Sequence, residues 1–242
     1  MEKKIQLFLL PFAGGSSLSF MRLNRFLDKS VEAITIEYPG RGKRNNEKFI
    51  DDYDSFVKDI EHEIVKKRII ELPFAILGYS MGSAIAYDLI RSGKFDQSAS
   101  CGIFCAEGGL ISPNPARRYG ECCYQEFLEK MQSLGGIDKR LLENEEALKS
   151  YLYIIKKDFD ILAQFKYDGG KIGQDITVIY SEYDNTCVNM DEWEKITVGN
   201  VNYRTLGDNH FFLNQCYKEM ANIINNQLKE WTYEKNDSEI VG

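Results

Sequence analysis

Histidine is scarce in this chain, with only His62 and His210 among 242 residues. The six cysteines, Cys101, Cys105, Cys122, Cys123, Cys187 and Cys216, show no metal-ligand spacing. With so few imidazoles a zinc site is not expected, and the cysteines read as free thiols of a cytoplasmic protein. No run is long and apolar enough to span a bilayer. Ile5-Gln6-Leu7-Phe8-Leu9-Leu10 is short, ends at Pro11 and leads into a glycine loop, so it reads as a first strand rather than a signal peptide. Basic patches are lacking too. The formal net charge of −7 argues against a nucleic-acid binder, and Lys66-Lys67-Arg68 and Lys156-Lys157 read as solvated helix faces. There are no internal repeats and no low-complexity linker.

The chain is 43% hydrophobic and 28% charged, ordinary for a globular protein, and long enough for one large α/β domain. Strand-like runs alternate with helical patterns. Ile5–Leu10 precedes a helix near Leu18–Leu27, and Ala33–Glu37 precedes one near Tyr53–Val65. Phe74–Leu77 and Cys101–Cys105 flank a further helix. Such alternation implies parallel strands joined by right-handed crossovers, with helices on both faces. From about residue 111 to 167 the chain is helical only, with patterns at Cys123–Gln132, Glu145–Lys157 and Phe159–Phe165. Strands resume at Asp175–Tyr180 and Val201–Thr205, a helix near Leu213–Trp231 closes the domain, and Glu234–Gly242 reads as a loose tail. A helical insertion of this kind is most simply a lid over the carboxyl ends of the strands, where open α/β sheets bind ligands.

Gly78-Tyr79-Ser80-Met81-Gly82 places a serine between glycines directly after the apolar run Phe74-Ala75-Ile76-Leu77. A sharp strand-to-helix turn at such a serine crowds the backbone, and only glycine tolerates the close approach on either side. The following residues, Ser83 to Ile90, read as a buried helix with small residues toward the strand. Strand, turn and helix in that order are the context a nucleophile elbow requires.

A serine hydroxyl needs a base, and the base an orienting acid. His62, between Glu61 and Glu63 in an amphipathic helix, reads as a solvated structural residue. His210 lies after the last strand, where this chain order puts the base. The acid belongs at the end of the preceding strand, where Asp184 is the leading choice, with Glu182 and Asp208 as alternatives. An oxyanion needs two backbone donors. The Met81 amide is one, and the Ala13 amide in Pro11-Phe12-Ala13-Gly14-Gly15-Ser16 is the other. A phosphate-cradling role for that loop is disfavoured, because G-x-G-x-x-G spacing is absent.

Over most of its length the chain resembles the type II thioesterases that accompany nonribosomal peptide and polyketide synthases. The resemblance rests on the Pro11–Ser16 loop, Tyr38-Pro39-Gly40-Arg41-Gly42, Gly78–Gly82 and His210-Phe211-Phe212. Phe127, Leu134-Gly135-Gly136, Asp158-Phe159, Tyr167 and Trp193 also fall in the family's order. It implies an α/β-hydrolase fold with a mostly parallel sheet over residues 1–242 and a helical lid at about 111–167. It further implies a Ser80, Asp184, His210 triad that hydrolyses acyl groups from the phosphopantetheine arm of acyl or peptidyl carrier domains. No cofactor, nucleic acid or membrane is expected, and the protein is expected to be a monomer. Arg41 reads either as a structural bridge from its loop to the sheet or as a contact to substrate. Two features depart from the family pattern: Ala106-Glu107-Gly108-Gly109 after the strand Cys101–Cys105, and Lys156-Lys157 in the insertion. Both touch the pocket rim and bear on acyl preference. A small-molecule carboxylesterase and a non-catalytic carrier-binding partner are the rival readings.

Overall fold

The computed structural model describes residues 4–92, 95 and 100–240. Its centre is a six-stranded sheet with strands β1 (Ile5–Leu10), β2 (Val31–Thr35), β3 (Phe74–Tyr79), β4 (Ser100–Cys105), β5 (Ile176–Tyr180) and β6 (Val201–Thr205) in spatial order β2-β1-β3-β4-β5-β6. Every neighbouring pair is parallel. β1 and β3 are buried at every residue, as strands of a doubly covered parallel sheet should be. The one polar side chain of β1, Gln6, is hydrogen-bonded to Glu32, the Lys67 carbonyl and the Ile69 amide.

The period of two sorts their side chains onto opposite faces. Phe8, Leu10, Phe74, Ile76, Phe104 and Val178 join one core cluster. Leu7, Leu9, Ala75, Leu77, Ile103 and Ile179 join the other. Helices α2 (Tyr53–Lys67) and α3 (Met81–Arg91) cover the first face through residues such as Phe56, Ile60, Ile64 and Ile85. On the second face lie the short α1 (Met21–Asn24) and the long α7 (Tyr217–Ile240), which contribute Leu23, Met220, Ile224 and Leu228.

Between β4 and β5 the described elements are helical: a 3₁₀ segment at Pro115–Glu121, then α4 (Tyr124–Ser133), α5 (Lys139–Leu142) and α6 (Glu145–Leu162). The last of these begins at Asn144, whose side chain accepts from the Ala147 amide at 3.0 Å. Its buried residues Leu148, Leu152, Ile155, Phe159 and Leu162 recur at three- and four-residue spacing and form one stripe against the body of the protein.

Several expected boundaries shift. The helix expected at Phe159–Phe165 is the end of α6, since no breaker separates it from the preceding turn. The first helix shrinks to Met21–Asn24, because Ser16 and Ser19 tie their segment into a turn, with the Ser19 amide donating to the Ser16 carbonyl at 2.9 Å. Strand β2 sits two residues earlier than expected, in register with β1 from Ile5 opposite Val31. The expected tail over Glu234–Gly242 is instead helix as far as Ile240, with residues 241 and 242 outside the described set. Nothing between Trp231 and Ile240 is a glycine or proline that would stop a helix. No helix among the described residues is long and apolar enough to cross a membrane.

Candidate active site

Ser80 stands between the end of β3 and the start of α3 with φ 53° and ψ −120°. Such a backbone is strained for a residue bearing a Cβ, and it persists because the surroundings enforce it. The Ser80 amide donates to the Cys105 carbonyl at 2.7 Å, and the Ser83 amide donates to the Ser80 carbonyl at 2.7 Å. A Cβ on Gly78 would collide with the Gly82 carbonyl, and one on Gly82 with the Leu10 carbonyl. The flanking glycines are therefore required by close packing of backbone on backbone.

His210 is buried in the segment between β6 and α7. Its Nε2 lies 3.1 Å from Ser80 Oγ and its Nδ1 lies 2.7 Å from Asp184 Oδ2. A carboxylate at Nδ1 fixes the proton there, which leaves the Nε2 lone pair facing the serine hydroxyl. The Tyr79 hydroxyl donates to the His210 carbonyl at 2.6 Å and anchors the segment from below. Of the three acids weighed from sequence, the structure brings Asp184 to the imidazole. Glu182 and Asp208 are exposed, and Asp208 accepts instead from its neighbour Asn209. His62 lies exposed on α2, away from this cluster.

Asp184 is held from several directions. The Thr186 amide and hydroxyl donate to Oδ1 at 2.9 and 2.7 Å, and the Cys187 thiol donates to Oδ2 at 3.3 Å. Burial pushes this carboxyl up, but the hydrogen bonds from His210 and Thr186 outweigh it and leave the pKa below the ordinary aspartate value. Burial, reinforced by the Asp184 charge, pushes the Cys187 thiol up and keeps it a protonated donor. Thr186 Oγ1 also lies 3.1 Å from His210 Nδ1, so one hydroxyl touches both the acid and the imidazole. The sequence carried no signal for Thr186; a hydroxyl residue two positions past an acid is too common to single out.

Met81 is the first residue of α3, so its amide has no acceptor within the helix. Ala13 lies in the turn after β1, where the Gly15 amide donates to the Phe12 carbonyl at 2.8 Å. This loop is clamped by α6. The Gly14 amide donates to Asp158 Oδ2 at 2.7 Å, and Gly14, at φ 80°, sits so close to Ile155 that a Cβ would collide with it. Asp158 also forms a buried, two-pronged ion pair with Arg41, whose Nη2 reaches Oδ1 at 2.5 Å and whose Nη1 donates to the Gly15 carbonyl at 3.4 Å. Arg41 thus bridges the glycine loop to the inserted helix, rather than to the sheet or to open pocket.

A pocket opens at Ser80 and His210. Leu134, Phe159 and Leu162 of the insertion line it, and Glu107, Asn114, Arg117 and Thr186 add polar groups. Among the described residues no cluster of histidine, cysteine or acidic side chains could hold a metal ion.

A serine on a strained strand-to-helix turn, a histidine after the last strand and an acid after the strand before it, on a parallel sheet, define an α/β-hydrolase-fold protein. The chain matches the model of the thioesterase domain family over residues 5–228 and belongs to that family. It is 26% identical over 231 residues to the gramicidin S biosynthesis protein GrsT of Aneurinibacillus migulanus, covering 93% of this chain and 90% of that protein. It is also 26% identical to the thioesterase PikA5 of Streptomyces venezuelae, covering 93% of this chain and 81% of the other. Among solved structures, ClbQ from the colibactin NRPS/PKS pathway superimposes with a TM-score of 0.86 at 22% identity, covering 99% of this chain and 100% of ClbQ.

Proposed function

We propose that this chain is an editing thioesterase that clears acyl groups from the phosphopantetheine arm of carrier domains in a nonribosomal peptide or polyketide synthase. Support comes from the family match, from relatives named as a gramicidin S biosynthesis protein and as a thioesterase, and from the likeness to ClbQ of an NRPS/PKS pathway. The single observation that carries the chemistry is the relay from Asp184 through His210 to Ser80, with contacts of 2.7 and 3.1 Å.

In this mechanism His210 Nε2 takes the Ser80 proton as Oγ attacks the thioester carbonyl carbon. The carbonyl electrons move onto oxygen, which receives hydrogen bonds from the Met81 and Ala13 amides. Asp184 holds the Nδ1–H tautomer and stabilises the imidazolium. Collapse of the tetrahedral species breaks the carbon–sulfur bond, and the imidazolium returns its proton to the departing thiol. Water then enters, gives a proton to His210 and attacks the acyl-serine ester. Ser80 leaves with that proton and the acid is released. Roofed by the insertion, the pocket suits a short acyl group delivered under a lid. The chemistry draws on no cofactor of the chain's own, because the pantetheine arm arrives with the partner. Work in the cytoplasm beside its synthase fits six cysteines that form no disulfide.

Mass spectrometry of an acylated carrier domain before and after incubation tests this directly. Wild type should regenerate the free pantetheine thiol, and Ser80→Ala should not. Deacylation by Ser80→Ala at a rate near wild type would refute the assignment.

A further inference from the structure

The pocket beside Ser80 has unlike walls. Leu134, Phe159 and Leu162 present hydrocarbon, whereas Glu107 and Arg117 present a buried ion pair, at 5% and 7% exposure. Arg117 Nε and Nη2 both donate to the same oxygen of Glu107, Oε1, at 3.3 and 2.9 Å, and Nη2 donates again to the Gly109 carbonyl at 3.0 Å. Among the described residues no donor reaches Glu107 Oε2, which is not fully buried, and Glu107 lines the pocket. Asn114, on the same wall, is already engaged: its Nδ2 donates to the Thr186 carbonyl and its Oδ1 accepts from the Ala116 amide.

The free carboxylate oxygen is rigidly mounted. Ala106, just before it, holds φ 52° and donates its amide to the Ile179 carbonyl at 2.9 Å. Just after it, a Cβ on Gly108 would collide with the Val188 backbone and one on Gly109 with the Asn189 carbonyl. A buried ion pair in a pocket wall is a poor source of stability compared with apolar packing. A fixed, unshared acceptor in the wall of the pocket that also holds Ser80 is instead what selects a donor on a ligand. Arg117 already compensates the carboxylate charge at 2.9 Å, so a second cation would meet the guanidinium as well as the carboxylate. A neutral donor suits the site better. The pocket's empty space is about 290 Å³ with its open mouth counted, so the enclosed part is smaller still and suits a short chain.

We propose that Glu107 Oε2 accepts a hydrogen bond from a hydroxyl on the acyl chain bound beside Ser80, which makes Glu107 a specificity-determining residue and short hydroxyacyl thioesters the preferred substrates. This rests on the thioesterase reading above. Pantetheine thioesters in near-isosteric pairs provide the test: lactyl against isobutyryl, and 3-hydroxybutyryl against 3-methylbutyryl, with alanyl as the charged counterpart of lactyl. The full-length wild-type enzyme should favour the hydroxyl member of at least one pair by about tenfold or more in kcat/KM. In Glu107→Gln, whose carbonyl can keep Arg117 while its NH₂ replaces the acceptor, that ratio should fall toward one. Ratios near one for both pairs in wild type overturn the proposal, a comparison that needs no variant to fold. It is overturned equally if alanyl outpaces lactyl, or if Glu107→Gln keeps the wild-type ratio. Turnover of all thioesters without discrimination leaves the thioesterase reading standing, whereas no turnover of any refutes both.

Discussion

At the scale of single residues, the geometry of the site is set by what holds Asp184 and His210 as much as by the two themselves. Thr186 donates twice to Asp184 and touches the imidazole, and Tyr79 anchors the His210 carbonyl. Asp184→Asn removes the acceptor that fixes the Nδ1–H tautomer, and kcat should fall by about 10⁴-fold with little change in KM. A steady-state comparison on one acyl thioester checks this. The same substitution carries a pH signature. Because the folded-state pKa of Asp184 lies below the ordinary value, its ionised form contributes stability that is fully present above about pH 3.9. That contribution is lost as pH falls through the lower, folded-state pKa. Thermal unfolding should therefore show the stability advantage of wild type over Asp184→Asn narrowing with acidification below about pH 4. A constant gap across that range would contradict the origin given for it.

At the scale of elements, the decisive contact joins α6 to the glycine loop after β1. Asp158 receives the Gly14 amide and pairs with Arg41, 117 residues away in sequence, with both charges buried. The inserted helix thereby fixes the loop that carries the Ala13 amide. Asp158→Ala leaves the Arg41 guanidinium buried without its partner, so a loss of about 3–5 kcal/mol in stability is expected. Activity should fall as well, measured at a temperature where the variant is still folded, and Asp158→Asn should recover part of both. The strand and helix pattern, the elbow and the last-loop histidine were legible in sequence because each is local: a period of two, a glycine pair, a residue after a strand. The Arg41–Asp158 bridge was not, since a buried ion pair between distant segments leaves no periodicity. Helix ends were misread for a related reason. The polar stretch after Trp231 looks like a tail by composition, yet it contains nothing that breaks a helix before Ile240.

Over the whole molecule, two core clusters lie on opposite faces of one parallel sheet, and the insertion between β4 and β5 closes over the carboxyl edge where Ser80 emerges. That layout explains why Ser80, Asp184 and His210 come from three separated segments and meet only once the sheet is assembled. It also explains why the pocket wall escaped the sequence: Glu107 stands out there only within a departure from a family pattern and Arg117 not at all, since their pairing joins the 3₁₀ segment at Pro115–Glu121 to the stretch after β4. As proposed above, this architecture acts on carrier-borne thioesters and not on esters at large. The most direct measurement is kcat/KM for one acyl group presented three ways: on the pantetheine arm of a carrier domain, on coenzyme A, and as a simple oxygen ester. The carrier-bound thioester should be cleaved fastest, by at least an order of magnitude over the ester, with all three activities lost in Ser80→Ala. Faster cleavage of the simple ester than of the carrier-bound thioester would contradict the editing role and favour a small-molecule esterase.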